Sequence, residues 1–400
     1  MKDANPIAGE RINKMTRSIL RLFTVMLAFV ILGCICVDQA IAQVKSQNGI
    51  TILTYQNHPQ TPVGFLNAKP MPMPINYRPM DPTQAWIASL QSSPKLGTPG
   101  HSPGAQGTGI TSPILLGTPK APESDGIQPM DFGTLEHPFS TARADLNPNG
   151  QTATNTLWPY RAAGKMWFKV SGSYAWCSAS LIKRGVIVTA AHCVANYGQQ
   201  QFYNEWYFSP GQRNWISPFG TWSWVLVAIK SDYYFGTDNC YVYGVVCPDD
   251  VAVIVLQDNK GAFPGTATGW YGYGFDGFGF ASGQTHVTQL GYPSGLDNGL
   301  YMERNDSSGY VNETFSNNTV IGSNMNGGSS GGPWLVNFGI KPNLTGETDG
   351  QAPNPNIVVG VTSWGYVSPD PKEQGASPFT SNNVDTLVGV ACSYAPAACQ

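Results

Sequence analysis

The apolar positions divide the chain into three textures. Leu22 to Val37 is a run of sixteen uncharged, mostly apolar residues behind the basic Lys14, Arg17 and Arg21. From Gln43 to about Asn149, Pro, Gly, Ser, Thr and Gln dominate and apolar runs are few. Stretches such as Pro70-Met71-Pro72-Met73-Pro74 and Gly97-Thr98-Pro99-Gly100 cannot bury enough surface to offset chain entropy, which predicts a pro-segment or linker over 43–150 with little fixed structure. From about Leu157 short β-rich runs recur between turn signals: Met166–Val170, Val186–Thr189, Trp222–Ile229, Val251–Leu256, His286–Leu290 and Ile357–Trp364. Their length and spacing predict an all-β sandwich or pair of barrels. The glycine-aromatic stretch Gly269–Phe280 fits no single element, and Asn383 is expected to cap a short helix to about Val390.

The first texture reads as an export signal over residues 1–42. Ala40-Ile41-Ala42 places small residues where a signal peptidase reads them, with cleavage before Gln43. An uncleaved membrane anchor is the alternative, although sixteen residues fall short of the ~20 that span a bilayer core. Lipid attachment at Cys34, within Ile31-Leu32-Gly33-Cys34, is a third possibility. A secreted or periplasmic protein with no stable membrane association follows from the first reading.

Composition supports this picture. Gly (45) and Pro (31) make up 76 of 400 residues while charged residues are 12%, a mix for many strands and turns rather than long salt-bridged helices. The net charge is −3, and removing residues 1–42 leaves 17 basic and 22 acidic side chains with no Lys/Arg-rich run. Nucleic acid is therefore excluded as an expected partner. Six cysteines remain beyond the apolar run, an even number in an exported chain, and proximity pairs Cys177 with Cys193, Cys240 with Cys247 and Cys392 with Cys399, one of fifteen connectivities. There is no C-x-x-C pair, and only His192 and His286 follow residue 137, so no metal site is expected.

Three motifs carry candidate chemistry. Thr189-Ala190-Ala191-His192-Cys193 follows a predicted strand, so its imidazole can face a cleft. Asp250 opens the apolar strand Val251–Leu256, where a buried carboxylate can orient an imidazole. Gly327-Gly328-Ser329-Ser330-Gly331-Gly332-Pro333 flanks a serine with glycines, which permits a strained turn and lets two amides converge into an oxyanion hole. Each is weak alone; together they stand in the order His, Asp, Ser.

Those segments, with Cys177-Ser178-Ala179-Ser180-Leu181 and Ser363-Trp364-Gly365, resemble the signature blocks of the trypsin/chymotrypsin superfamily over roughly residues 155–400. Gly291-Tyr292-Pro293 is similar to the bacterial glutamyl-endopeptidase-like branch. The resemblance implies two six-stranded antiparallel β-barrels in residues 151–400, the first over about 155–262 and the second over about 263–400, with the active site between them. It implies Ser330 as nucleophile, His192 as general base, Asp250 as its orienter, and the amides of Gly328 and Ser330 as the oxyanion hole. Ser363, Trp364 and Gly365 would pair with substrate backbone, and Asn324, Met325 and Thr362 would form the specificity pocket, with Asn324 at its floor. Asp249, one residue earlier, competes for the acid's role. The family pattern favours Asp250.

The sequence departs from trypsin-like relatives at three points. Ser329 replaces the acid that precedes the nucleophile, and no Ile-Val-Gly-Gly start is present, so the salt-bridge activation switch is not expected. Asn324 replaces the acid that selects Lys or Arg, and Thr362 stands where glutamyl-specific relatives carry histidine; a neutral substrate side chain is expected. Gly328-Ser329-Ser330-Gly331-Gly332 also fits the nucleophile elbow of α/β-hydrolases, but that fold needs a histidine after the serine and none follows His286. The expectation is a monomeric secreted serine endopeptidase acting on polypeptides without a cofactor, and the alternative is a catalytically silent binding or adhesion protein on the same fold. His286 is expected on a solvent-facing strand position, and Asn305, Asn312 and Asn343 begin glycosylation-type sequons.

Overall fold

The structure, a computed structural model, describes residues 42–55, 65–72, 97–117, 138–145, 153–339, 352–366 and 372–400. The expected export signal and the sequon at Asn343 lie outside them. Among the described residues no helix is long and apolar enough to cross a membrane.

The segment read as unstructured contributes six strands among its described residues: β1 (Gln43–Gln47), β2 (Ile50–Thr54), β3 (Lys69–Pro70), β4 (Gly100–Ser102), β5 (Ile114–Leu115) and β6 (Phe139–Arg143). This corrects the expectation of little fixed structure. Most of these strands satisfy their backbone by joining one of the two large sheets, while β5 pairs only with a two-residue strand, and few apolar anchors are needed. Ile50, Leu53, Phe65 and Phe139 are buried, and averaging composition over the whole stretch hides so sparse a pattern.

The first barrel comprises β7 (Ala163–Val170), β8 (Ser173–Lys183), β9 (Val186–Thr189), β12 (Asn204–Pro210), β14 (Trp222–Lys230) and β15 (Ala252–Leu256), with the short strands β10 (Ala195–Asn196), β11 (Gln201–Phe202) and β13 (Ile216–Ser217) between them. The order is β14-β12-β7-β8-β9-β15, and β15 returns to pair with β14, which closes the sheet. Closure removes the free edges. β15 buries every residue from Ala252 to Leu256, and Trp167, Phe168, Phe208 and Ile187 fill the interior. The β1–β2 hairpin adds to this barrel through β2 on β14.

A linking strand, β16 (Gly272–Phe275), resolves the unassigned glycine-aromatic stretch. The second barrel follows: β17 (Gln284–Gly291), β18 (Glu303–Asn312), β19 (Asn318–Gly322), β20 (Pro333–Val336), β21 (Ile357–Gly365) and β22 (Glu373–Ala376). They run in the order β20-β17-β18-β19-β22-β21, closed by β20 on β21. The architecture is thus two closed six-stranded antiparallel barrels. β6 pairs with the first half of β18, β4 with β16, β3 with β8 and β5 with β13.

The inward positions of β18 are polar: Glu303, Asn305 and Ser307 are buried in alternation. Asn305 donates to the Gly322 carbonyl and accepts from Thr141. A side chain buried on both contacts cannot carry a glycan, so that sequon is structural. At the C-terminus, Thr380 rather than Asn383 is the cap. Its hydroxyl accepts from the Asn383 amide while the Asn383 side chain accepts from the Thr380 amide, a reciprocal box that starts the wide turn Ser381–Asp385 and the helix Thr386–Tyr394.

Three disulfides are formed, Cys177–Cys193, Cys240–Cys247 and Cys392–Cys399. The first joins β8 to the turn after β9 across a separation of 16 residues. Loop-closure entropy for a ring of that size is worth about 3 kcal/mol. The double variant Cys177→Ala/Cys193→Ala is expected to lose roughly that stability by urea unfolding; an unchanged midpoint would show that the bond does not constrain the chain.

Candidate active site

His192 lies on the short turn Ala191–Cys193 after β9, where the disulfide through Cys193 and a hydrogen bond from Trp206 Nε1 to the Cys193 carbonyl fix the backbone. Asp250 stands two residues before β15, the strand paired with β9, so strand register brings the two together. The Asp250 side chain is fully buried. Its Oδ2 lies 2.7 Å from His192 Nδ1 and accepts from the Ser363 hydroxyl at 2.5 Å, while Oδ1 accepts from the His192 backbone N–H at 2.8 Å. Asp249 faces elsewhere: its carboxylate accepts from Asn383, and burial raises its pKa. The geometry therefore separates the two neighbouring acids, and Asp250 is the one that reaches the imidazole.

Ser330 and His192 line one groove of about 350 Å³. The serine is held by both barrels. Its carbonyl accepts from the Ser178 N–H of β8 at 2.7 Å, and the next amide, Gly331, donates to the Thr362 carbonyl of β21 at 2.7 Å. Gly328 has φ of +99°, a conformation that L side chains rarely adopt, and a Cβ there would collide with Trp176 Nε1 and the Tyr292 carbonyl. Gly331, at φ +77°, likewise leaves no room beside Thr189 and Ser178. Two glycines of the motif are thus required by close approach. The Gly328 carbonyl accepts from Ser178 Oγ at 2.9 Å, which fixes the turn between the two amides named from sequence.

Of the six residues expected to bind substrate, Met325, Thr362, Ser363, Trp364 and Gly365 line the groove. Asn324 does not. Ser323 Oγ bonds Gln289 and Gln374 and accepts the Met325 amide, and this turns Met325 inward in place of its neighbour. The base is a neutral network. Gln289 Nε2 donates to Thr362 Oγ1 at 2.8 Å and to Gln374 Oε1 at 2.5 Å, Trp334 Nε1 donates to Thr362 Oγ1 at 2.9 Å, and Gln374 Nε2 donates to Ser329 Oγ at 3.3 Å. Sequence reading missed Gln289, Ser323 and Gln374; β22 carries no apolar alternation to mark it as a strand. It also missed the wall from Tyr241 to Val246, which the Cys240–Cys247 bond loops over the groove. His286 is exposed, apart from the site.

Beneath the glycine turn lies Lys165, fully enclosed. Its Nζ donates to the Gly299 carbonyl at 2.7 Å and sits 4.1 Å from the Trp176 ring centroid, with Trp167 and Tyr292 further out. Trp176 in turn donates to the Tyr292 carbonyl at 3.0 Å.

A closed pair of six-stranded barrels, with a serine and a buried His–Asp pair lining one groove, is the arrangement of the chymotrypsin-like serine endopeptidases. The trypsin family model matches residues 148–384, more than half of the chain, and the chain belongs to that family. It is similar to a glutamyl endopeptidase of Bacillus licheniformis, 24% identical over 317 residues that cover 79% of this chain and 88% of that one. An extracellular metalloprotease of Bacillus subtilis is 29% identical over 172 residues, 42% of this chain, and the match spans only 47% of that relative's length. Among solved structures, the protease Anisep of Arthrobacter nicotinovorans superposes with a TM-score of 0.45 at 21% identity, covering 60% of this chain and 96% of that one. Among the described residues the two clusters of metal-ligand type each contain two cysteines already joined as disulfides, which offer no thiolate.

Burial pushes the Lys165 ammonium down to about 7. The unfolded chain keeps that proton to about pH 10.4, so between roughly 7 and 10 the unfolded state binds more protons and native stability rises with pH. The Lys165→Met variant removes this dependence. The stability of wild type relative to Lys165→Met is expected to climb from pH 7 to 9.5 by at most about 1.4 kcal/mol per unit, read as urea midpoints; a pH-independent difference would contradict the assignment.

Proposed function

We propose that the protein is an exported serine endopeptidase in which Ser330, His192 and Asp250 form the catalytic triad. The observation that carries this reading is the buried contact of His192 Nδ1 with Asp250 at 2.7 Å in the groove that also holds Ser330. With Nδ1–H committed to Asp250, Nε2 is the free base. It takes the Ser330 proton as Oγ attacks the scissile carbonyl, and then passes it to the departing amine. Water repeats the cycle on the acyl-enzyme. Asp250 stabilises the imidazolium without taking the proton, and the Gly328 and Ser330 amides face the developing oxyanion. Residues 151–400 supply this catalytic domain, and the backbone of Ser363, Trp364 and Gly365 receives the acyl side of the substrate as an added strand.

The groove supports a preference for a neutral side chain at the position before the scissile bond. Among the described residues that line it there is no Lys, Arg, Asp or Glu. Val242, Val245, Val246, Phe315 and Met325 give it apolar walls over an amide and hydroxyl base. A substrate Lys, Arg or Glu would enter without a counter-charge. Export is supported by the three disulfides, which persist in oxidising compartments.

Intact mass after treatment with a fluorophosphonate tests the triad. One adduct is expected on wild type and none on Ser330→Ala, while Asp250→Asn is expected to cut kcat by about 10⁴-fold with the fold retained. In a peptide mixture, neutral residues before the cut should exceed Lys, Arg and Glu at least ~10-fold. A correctly processed wild type that takes no adduct would instead favour a silent binding protein on this fold.

A further inference from the structure

The groove has an unexpected wall. Met71 and Pro72, from the segment ahead of the barrels, line it together with His192 and Ser330. They belong to a short run that is fixed at both ends. Phe65 is 2% exposed, stacks on Trp167 with ring centroids 4.6 Å apart, and meets Tyr174 and Tyr207 edge-on. Lys69 and Pro70 then pair in parallel with Ala175 and Trp176 of β8. The Met71 N–H donates to the Trp176 carbonyl at 3.1 Å, and Pro70 packs against Gly327 beside the glycine turn. Prolines at 70 and 72 fix φ and lower the entropy lost by staying bound.

The side of the groove matters. Ser330 sits between β8, through Ser178, and β21, through Thr362. The edge Ser363–Gly365 on β21 takes the acyl half of a substrate in the function proposed above, on which this inference rests. The β8 flank, with Trp176 and Gly327, is then where the leaving half must pass.

We infer that residues 65–72 form a tethered strap that occupies the leaving-group half of the groove and weakens the binding of substrates that continue for several residues beyond the scissile bond. The Trp176 carbonyl, which a leaving-side backbone would use as an acceptor, is already taken by Met71. A longer substrate has to displace Met71 and Pro72, while a substrate ending just after the bond does not touch them. Met71 and Pro72 therefore act as specificity residues supplied from outside the barrels.

Binding to the full chain carrying Ser330→Ala, which cannot turn over, tests the strap independently of hydrolysis. Two fluorescent peptides share one acyl-side sequence with a neutral residue at the cut; the first ends there as a carboxamide and the second continues for four residues. Met71→Pro removes the N–H donated to Trp176, and Phe65→Ala removes the anchor. Both are expected to tighten the long peptide about tenfold by fluorescence anisotropy and to leave the short one unchanged. If Phe65→Ala fails to fold, Met71→Pro decides alone. Equal effects on the two peptides, no effect, or no binding of either by the Met71→Pro chain would each overturn the strap. Failure of wild type to hydrolyse any peptide would remove the peptidase reading but leave this affinity ratio standing.

Discussion

The carboxylate of Asp250 is a charge with no access to water, and the arrangement of the site is built to make that tolerable. Three donors meet it: the His192 backbone, the His192 ring and the Ser363 hydroxyl. Its own amide donates to Ser377 Oγ, which in turn donates to the Cys247 carbonyl. Two donors come from the first barrel and the hydroxyls from the second, so one buried group is satisfied only when both barrels are in place. An unpaired carboxylate at that depth would cost several kcal/mol. The requirement couples the docking of the barrels to the orientation of the imidazole.

The groove follows from that docking. β8 and β21 grip the serine from opposite flanks, the glycine turn fits only without side chains, and Lys165 with its aromatic neighbours fills the space below. The described residues that line the groove include no Lys, Arg, Asp or Glu. The Gln289–Thr362–Gln374 network satisfies its own donors and acceptors, so the base presents polarity without charge. The disulfide-closed segment Tyr241–Val246 and the strap at Met71–Pro72 narrow it from other sides.

How much of this was legible in the sequence depended on where the apolar residues stand. The predicted strands that became β9, β14, β15 and β21 carry dense Val, Ile and Trp runs, and those that became β7 and β17 shorter apolar stretches, so burial on one or both faces was visible as pattern. β18 was not visible because its inward positions are Glu303, Asn305 and Ser307, polar residues that replace the apolar alternation a strand is read from. The His and Ser motifs and Asp250 were readable from local context, since a strand end and a glycine turn each leave a signature. Gln374 and Met71 were not: they reach the groove through β22 and β3, strands of four and two residues whose placement is set by pairing partners far away in sequence. Asn383 was given the cap that belongs to Thr380, because in a reciprocal box both residues look like caps.

The attachment of β6 has a consequence for what a cut would do. β6 pairs with β18 over five residues, Arg143 forms a bidentate ion pair with Asp297, and Asp145 pairs with Arg213. β2 is held to β14 over five more. A backbone break between Asp145 and Ala153 would therefore not release the leading segment. The two pieces would separate on a denaturing gel yet co-elute as a single particle under native conditions, a nicked heterodimer born from one gene product.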